Sequence, residues 1–519
     1  MIFIFRLLEF SMNFKYKKKL IDSYRKVRRL NTDIYADTYR GWMYYNSYIP
    51  YRSDFLKEMR TKAIAKGIKD IDFYIHIPFC PTLCKYCDYY KQVINIKKAD
   101  QYIEWLISYL DEYKEIFKNV VFRSLYIGGW TPSVLLPEQL ERLLKYIFSN
   151  FKFSEIWEKT FEINPYTLNN QKWRIISKYP FNRISMGVQT LDKKVLKEVN
   201  RWYQNENILI ETVRFIRSSS TIKYINADVI MGLKYEDNLE KFKYTILRLG
   251  EIWYNQVVLY RLLPTDDYLN EHYNWNLYLF YKEFFPKIKS YYKLIKRDLY
   301  TLKNFYKIIN IDLHSGYRWD LLKEERDYII YDDFWFHSLF AVWPSARWHI
   351  YGRFYYEFPR SLDFIWKDFR DTLILWKYID LKDEISLYTI VNIMRYWNLD
   401  LEDFYIRFNI DFEKYFQNEL EYLDKNWKIL LKKNKKIYFY FKFYEKNYYA
   451  LYFLDIKRLE ELNLLNGVYL DTYKLIEKYG YKLFYDKFSK KVLIDNLFFS
   501  KKNIYEFYNI VDNIKWIIK

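Results

Sequence analysis

Cys80, Cys84 and Cys87 are the only cysteines in a chain of 519 residues, and all three fall within the segment Phe73-Tyr-Ile-His-Ile-Pro-Phe-Cys-Pro-Thr-Leu-Cys-Lys-Tyr-Cys87. A chain that uses cysteine nowhere else and then spaces three of them this tightly is building a site for a soft metal. A [4Fe-4S] cluster normally takes four thiolates, so three leave one iron open to a small molecule, much as a catalytic zinc keeps an open position. The rival is a zinc site completed by His76. It is the weaker reading, because structural zinc draws on paired Cys-x-x-Cys clusters separated by a longer loop. His76 alone reads better as a strand residue bonded to backbone.

The elements that would carry this loop alternate. β-like runs at Phe73–Ile77, Ser124–Gly128, Thr160–Asn164, Arg183–Val188, Asn226–Met231 and Gln256–Tyr260 are separated by helical periods near 98–118, 137–149, 167–178, 192–200, 206–218 and 237–250. Six strand–helix repeats imply parallel strands joined by right-handed crossovers. Their C-terminal edge should gather the cysteine loop, the Gly128-Gly129 turn and the polar residues that end later strands. An open or partial barrel suits six units better than a closed ring of eight. Before residue 71 the text is basic and aromatic, with a helix expected over Lys17–Leu30. After about residue 290 it loses regularity, until a helical region at 360–425 is followed by a β-ribbon at Lys428–Lys432 and Lys436–Phe441.

With 51% hydrophobic residues the chain can bury more than one core, and its length calls for two or three domains. The apolar start Met1–Phe10 is interrupted by Arg6 and Glu9, too short and too charged for a membrane span or a secretory core. Three cysteines that cannot pair evenly argue against a secreted disulfide framework, so the protein reads as soluble and cytoplasmic. The net charge of +19 is dispersed rather than gathered in blocks, which argues against a nucleic-acid partner.

Flanking motifs carry a resemblance to a known family. In order they are Tyr74-Ile-His-Ile-Pro-Phe-Cys80, Gly128-Gly-Trp-Thr-Pro-Ser133, Phe161-Glu-Ile-Asn-Pro165, Asn182-Arg-Ile-Ser-Met-Gly-Val-Gln189, Val199-Asn-Arg201 and Asn226-Ala-Asp-Val-Ile-Met-Gly-Leu233. Together they resemble the radical S-adenosylmethionine (SAM) family of oxygen-independent coproporphyrinogen III oxidases, heme chaperones and some radical C-methyltransferases. The resemblance is close over about 71–265 and loose over 325–440. It implies an α/β fold: a partial (β/α)6 radical-SAM barrel with a small α+β (helical, winged-helix-like) C-terminal domain. The expected division is an N-terminal extension 1–70, a core 71–290, a connector 291–380, a C-terminal domain 381–445 and a tail 446–519.

The resemblance also implies roles. Cys80, Cys84 and Cys87 would hold the cluster, and its open iron the amino and carboxylate groups of SAM. Gly128, Gly129 and Thr131 would lie against the SAM amino-acid moiety, where missing side chains permit close approach. Glu162 would meet the SAM ammonium, and Gln189, Arg201 and Asp228 match positions that contact SAM or a second SAM, Arg201 suiting a carboxylate. Tyr74 and Tyr86 would pack near the cluster and the adenine. The plainer alternatives are that Glu162 and Asp228 cap helices, that Arg201 is a surface arginine, and that Gly187 and Gly232 are ordinary strand ends.

The implied reaction is oxidative decarboxylation of a tetrapyrrole's propionates, fed by a low-potential donor such as a flavodoxin or ferredoxin. A heme chaperone and a radical methyltransferase remain the alternatives. Asp88-Tyr89 follows the third cysteine where the oxidases resembled here carry a further cysteine, yet the chaperones' His-Asn-x-x-Tyr-Trp motif is missing too.

The chain departs from the pattern in its glycines. It has 11 glycines and 17 tryptophans, against a usual glycine share of about 7%. Trp130, Trp335, Trp343, Trp397 and Trp427 stand at glycine-like places. In a chain whose Lys, Asn, Ile, Tyr and Phe content points to A/T-rich codons, this suggests UGA codons that the source reads as glycine; UGG at codons 130, 343 and 427 would sink that reading.

Overall fold

The computed structural model describes residues 14–22, 49–52, 54–65, 71–87, 91–129, 131–236, 238–262, 264–274, 276–312, 318–323, 338–342, 347–350, 354–357, 362, 373–378, 381–396, 398–427, 430–440, 449–456 and 459. The chain divides into two compact units. One is Tyr48–His314 with Arg318–Tyr378; the other is Met1–Ser47, Ser315–Tyr317 and Ile379–Lys519.

Among the described residues the larger unit is built around a nine-stranded sheet, beside which Ile49–Arg52, Leu373–Tyr378, Phe354–Glu357 and Arg347–Ile350 form a separate four-stranded antiparallel sheet. The strands of the nine-stranded sheet are β1 Ile71–Ile77, β2 Leu125–Gly129, β3 Lys159–Ile163, β4 Arg183–Gln189, β5 Tyr224–Met231, β6 Gln256–Arg261, β7 Ile308–Asp312, β8 Arg318–Lys323 and β9 Ser338–Val342. The order across the sheet is β8-β7-β6-β5-β4-β3-β2-β1-β9. Every neighbouring pair is parallel except β7 with β8. β1 to β6 are the six runs expected from the sequence, each within two residues of its expected ends. The described sheet is open, with β8 and β9 at its edges, and residues beyond 291 extend it on both sides.

Helices return the chain between parallel strands: α1 Ile96–Lys114, α2 Pro137–Asn150, α3 Asn170–Ile176, α4 Lys193–Glu198, α5 Glu206–Arg217 and α6 Leu239–Glu251. Side chains of Asn95, Asn169, Asp192, Asn205 and Asn238 accept from the first-turn amides of five of them. These caps satisfy donors that a helix start leaves over. In α1 the buried Tyr102, Trp105, Leu106, Tyr109 and Tyr113 recur at helical spacing and form the stripe that meets the sheet.

Strand alternation sorts the sheet's two faces. Phe73, Ile75, Leu125, Ile127, Phe161, Ile184, Met186, Val188, Ile225, Ala227 and Val229 are buried on one. Register places Tyr74 beside Tyr126, His76 beside Gly128, Glu162 beside Ser185, Ser185 beside Asn226 and Gly187 beside Asp228 on the other. The apolar face receives the helices, and the polar face becomes the inside of the partial barrel.

α6 ends in a turn that its sequence does not suit. Trp253 lies at φ +84, its N–H bonds Gly250 O at 3.0 Å, and the Tyr254 N–H bonds Leu249 O at 3.1 Å. That is the left-handed stop which glycine usually fills. Trp130, Trp335, Trp343 and Trp397 lie outside the described residues, as does the side chain of Trp427.

In the other unit, helices Leu381–Tyr396, Leu401–Phe408, Phe412–Tyr415 and Gln417–Trp427 accompany a three-stranded antiparallel sheet in the order Asn398–Asp400, Lys436–Phe439, Leu430–Lys433. The helix expected over Lys17–Leu30 is described over 14–22. The tail beyond 459 lies outside the described residues.

Candidate cofactor site

The cysteine loop leaves the C-terminal end of β1 and is closed at its base. Phe79–Cys80 pairs in parallel with Gln92–Val93, through Gln92 N to Pro78 O and Ile94 N to Cys80 O, both 2.9 Å. Lys91 Nζ reaches Cys84 O at 3.2 Å and also bonds Cys87 O, holding the middle of the loop with one ammonium. The far side rests on the turn after α4: Lys85 N bonds Val199 O, Thr82 Oγ1 bonds Asn200 O, and Asn200 Nδ2 bonds Leu83 O at 3.0 Å. Thr265 Oγ1, after β6, donates to Lys85 O at 2.7 Å. Three separate segments therefore fix one eight-residue stretch.

All three cysteines are free thiols, Cys80 and Cys84 buried and Cys87 half-buried. Burial pushes the Cys80 thiol up to about 12, against the Thr131 hydrogen bond that favours its ionised form; Thr131 Oγ1 lies 3.5 Å from Cys80 Sγ. Metal coordination is what would stabilise a thiolate there. Among the described residues no three His, Cys, Asp or Glu side chains stand close enough to hold a metal ion. The loop thus gathers the donors without converging them on one point.

Arg201 is buried, which removes the surface-arginine alternative. Its guanidinium donates to Gly187 O and to Gln204 Oε1 at 2.9 Å, and Nη1 lies 3.9 Å from Cys84 Sγ. Gln204 is itself fixed by Val188 O at 2.7 Å and Thr190 O at 3.2 Å. A fixed cation thus links the cysteine loop to the end of β4. Tyr86 sits half-buried in the loop, its phenol pushed well above its usual value, first by burial and then by the Cys84 thiol.

Glu162 and Asp228 cap no helix; both project from strand interiors on the polar face. Tyr126 donates its hydroxyl to Glu162 Oε1, and the Tyr126 ring stacks on Tyr74 at 5.5 Å and 12°. Burial raises the Glu162 carboxyl to about 8, with Asp228 adding to the shift and Tyr126, the Gly129 amide and Arg183 opposing it. Asp228 receives Asn226 Nδ2 at 2.7 Å and Ser185 Oγ at 3.3 Å.

Two glycines shape the rim. A Cβ on Gly128 would lie 2.7 Å from Glu162 Oε2, and one on Gly129, whose φ is +108, would lie 2.6 Å from His76 Nδ1. Neither position admits a side chain. His76 is a buried strand residue whose Nδ1 lies 3.3 Å from the Tyr74 hydroxyl, not a fourth ligand in the loop. Gly232 is likewise obligatory, at φ +94 with the Phe284 ring where a Cβ would stand. Gln189 adopts φ +69, and its Oε1 is buried without a hydrogen bond; such an orphan acceptor inside a polar lumen marks a place for a ligand's donor.

Tyr126, Ser185, Asn226 and Gln204 are the members that sequence reasoning missed. Asn226 carried one usable signal, standing two positions before Asp228 on the same strand face.

Residues 74–246 match the family model described as the radical SAM superfamily. Heme chaperone HemW of Lactococcus lactis subsp. lactis is 34% identical over 193 residues, covering 37% of this chain and 49% of that protein. Oxygen-independent coproporphyrinogen III oxidase of Escherichia coli is 33% identical over 215 residues, covering 40% and 46%. The chain spans about half the length of the curated relatives it matches. Among solved structures, coproporphyrinogen III oxidase (HemN) from Escherichia coli superposes with a TM-score of 0.61 at 22% identity, over 79% of this chain and 97% of that one, and so shares its fold. Residues 74–246 therefore carry a radical SAM domain, which implies a [4Fe-4S] cluster and SAM as cofactors, in a chain similar to proteins named HemN and HemW.

Proposed function

We propose that this protein is a radical SAM enzyme acting on a tetrapyrrole, by oxidative decarboxylation of the propionate side chains of coproporphyrinogen III. The observation that carries the reading is the placement of Gly128, Glu162 and Asp228 on the polar face of adjoining strands, with Gly129 and Gln189 at the C-terminal ends of theirs, beside the three-cysteine loop. Cys80, Cys84 and Cys87 would hold the [4Fe-4S] cluster and leave one iron open to SAM. When bound, the cluster would supply the electron for reductive cleavage of SAM.

The chain's own residues do the holding. Gly128, Gly129 and Thr131 let the SAM amino-acid moiety approach the backbone, Glu162 accepts its ammonium, and the unsatisfied Gln189 Oε1 accepts a further donor. Arg201 keeps a positive charge beside Cys84 and secures the loop to β4. Tyr74 and Tyr86 supply ring surface near the cofactors. Dispersed lysines and arginines favour a substrate with several carboxylates, and a flavodoxin- or ferredoxin-like donor in the cytoplasm completes the reaction. No helix among the described residues is long and apolar enough to cross a membrane.

Anaerobic reconstitution with iron and sulfide, followed by dithionite and SAM, tests this. Coproporphyrinogen III should accelerate release of 5′-deoxyadenosine and yield decarboxylated porphyrinogen; no 5′-deoxyadenosine under any condition would count against an enzyme. The relative named as a heme chaperone, 34% identical to this chain, favours a second reading. It predicts stoichiometric heme binding without porphyrinogen-dependent SAM cleavage.

A further inference from the structure

We infer that Ser185 and Asn226 form a clamp that fixes the Asp228 carboxylate toward the barrel lumen and act as positioning residues for SAM. The inference rests on the SAM reading above and adds residues to it.

Asn226 Nδ2 donates both to Asp228 Oδ1 at 2.7 Å and to Ser185 Oγ at 2.9 Å, while Ser185 Oγ lies 3.3 Å from Asp228 Oδ2. A serine oxygen that accepts from the amide turns its own proton toward the remaining acceptor, which is Asp228. Both carboxylate oxygens are therefore held, each by a different strand, and the carboxylate cannot swing. The two bonds hold the carboxylate in one orientation on the polar face of the sheet.

Burial separates the parts. Asn226 and Ser185 are buried, and Asp228 is only half-buried, so the carboxylate is the member that meets whatever enters the lumen. Gly187 sits opposite Asp228 in the register, and a Cβ there would lie 2.8 Å from Gln189 Nε2 and 3.8 Å from Arg201 Nη1. The missing side chain keeps the space between Asp228, Gln189 and Arg201 open. Asn226 Oδ1, meanwhile, is buried without a partner. The amide is thus turned to serve Asp228 with its donors at the expense of its own acceptor, an arrangement that a purely structural asparagine has no reason to keep.

The experiment uses full-length protein with its cluster reconstituted, measuring iron content, melting temperature, SAM dissociation constant and the KM and kcat of SAM cleavage. Asn226→Ala should raise both the dissociation constant and the KM about tenfold, as expected when a bond to a charged group is lost, with kcat and iron content unchanged. Ser185→Ala should raise them about threefold, and Ser185→Thr, which keeps the hydroxyl, should restore them. Asn226→Asp places a second carboxylate against Asp228, and its deficit in SAM affinity relative to wild type at the same pH should shrink on acidification, a pH signature that a packing role would not produce.

Equal SAM affinity in wild type and Asn226→Ala overturns the clamp. So does Ser185→Thr failing to restore what Ser185→Ala loses. Wild-type protein that binds SAM yet never cleaves it would overturn the enzyme reading while leaving the clamp's affinity readout in force; wild-type protein that does not bind SAM overturns both.

Discussion

Glu162 holds a proton where a cation is expected. Its carboxyl is raised to about 8 by burial first and the nearby Asp228 second, while Tyr126, the Gly129 amide and Arg183 pull the other way. Accepting the SAM ammonium requires the ionised form, so binding below pH 8 must expel that proton. SAM affinity should then weaken as pH falls below about 8, by at most about tenfold per unit. Calorimetry in buffers of different ionisation enthalpy should show release approaching one proton near pH 7, and Glu162→Gln should abolish it. The sign for stability is the opposite: with the folded value raised, Glu162 favours the fold fully at acid pH and loses that contribution as pH climbs through 8. The proposed cofactor residues were legible in the sequence: spacing singles out Cys80, Cys84 and Cys87, and the family resemblance implies Gly128, Glu162 and Asp228. The groups that orient them were not. Ser185 meets Asp228 across 43 residues and Arg201 meets Cys84 across 117, and such meetings depend on strand register and loop docking that no local pattern encodes.

At the scale of elements, alternation revealed β1 to β6 to within a residue or two, since buried parallel strands write themselves as short β-branched and aromatic runs. β9 was not legible, because the strand it pairs with among the described residues is β1, more than 200 residues earlier. The end of α6 places a bulky residue in a left-handed turn. A tryptophan 69% exposed at φ +84 pays backbone strain and buries little in return, a conformation that costs a non-glycine residue about 1–2 kcal/mol. Trp253→Gly should therefore raise the unfolding free energy of the larger unit by about 1 kcal/mol in urea titrations, keeping the bond from Arg217 Nη2 to the backbone oxygen of residue 253. An unchanged or lower midpoint would show that the indole earns its place. A UGA codon at 253 would add a described position to the glycine-recoding reading of Trp130, Trp335, Trp343, Trp397 and Trp427.

At the scale of the whole molecule, one compact unit is assembled from both ends of the chain, with the sheet unit encoded between its parts. Lys17 meets Glu419 at 2.7 Å with both side chains largely buried, and Phe14 packs on Tyr422 at 5.3 Å. Removing one partner of a buried pair strands the other charge, so Glu419→Ala should cost this unit about 3–5 kcal/mol. Lys17→Met combined with Glu419→Leu should recover most of that loss. Two-step thermal unfolding would show the change in one transition while the SAM-protected transition stays put; a shift shared equally by both would refute the assignment.

The same division sets an order of events at the ribosome. The helix at 14–22 emerges before the whole barrel, yet Glu419 follows Lys17 by 402 positions. At about 5–20 residues per second, translation keeps that helix waiting for roughly 20–80 s, during which the barrel has time to fold, and the other unit can assemble only once Glu419 has emerged. Slow or paused translation between codons 17 and 419 would lengthen the life of an unpartnered amphipathic segment, and nascent chains stalled there are where a holding chaperone would find its client.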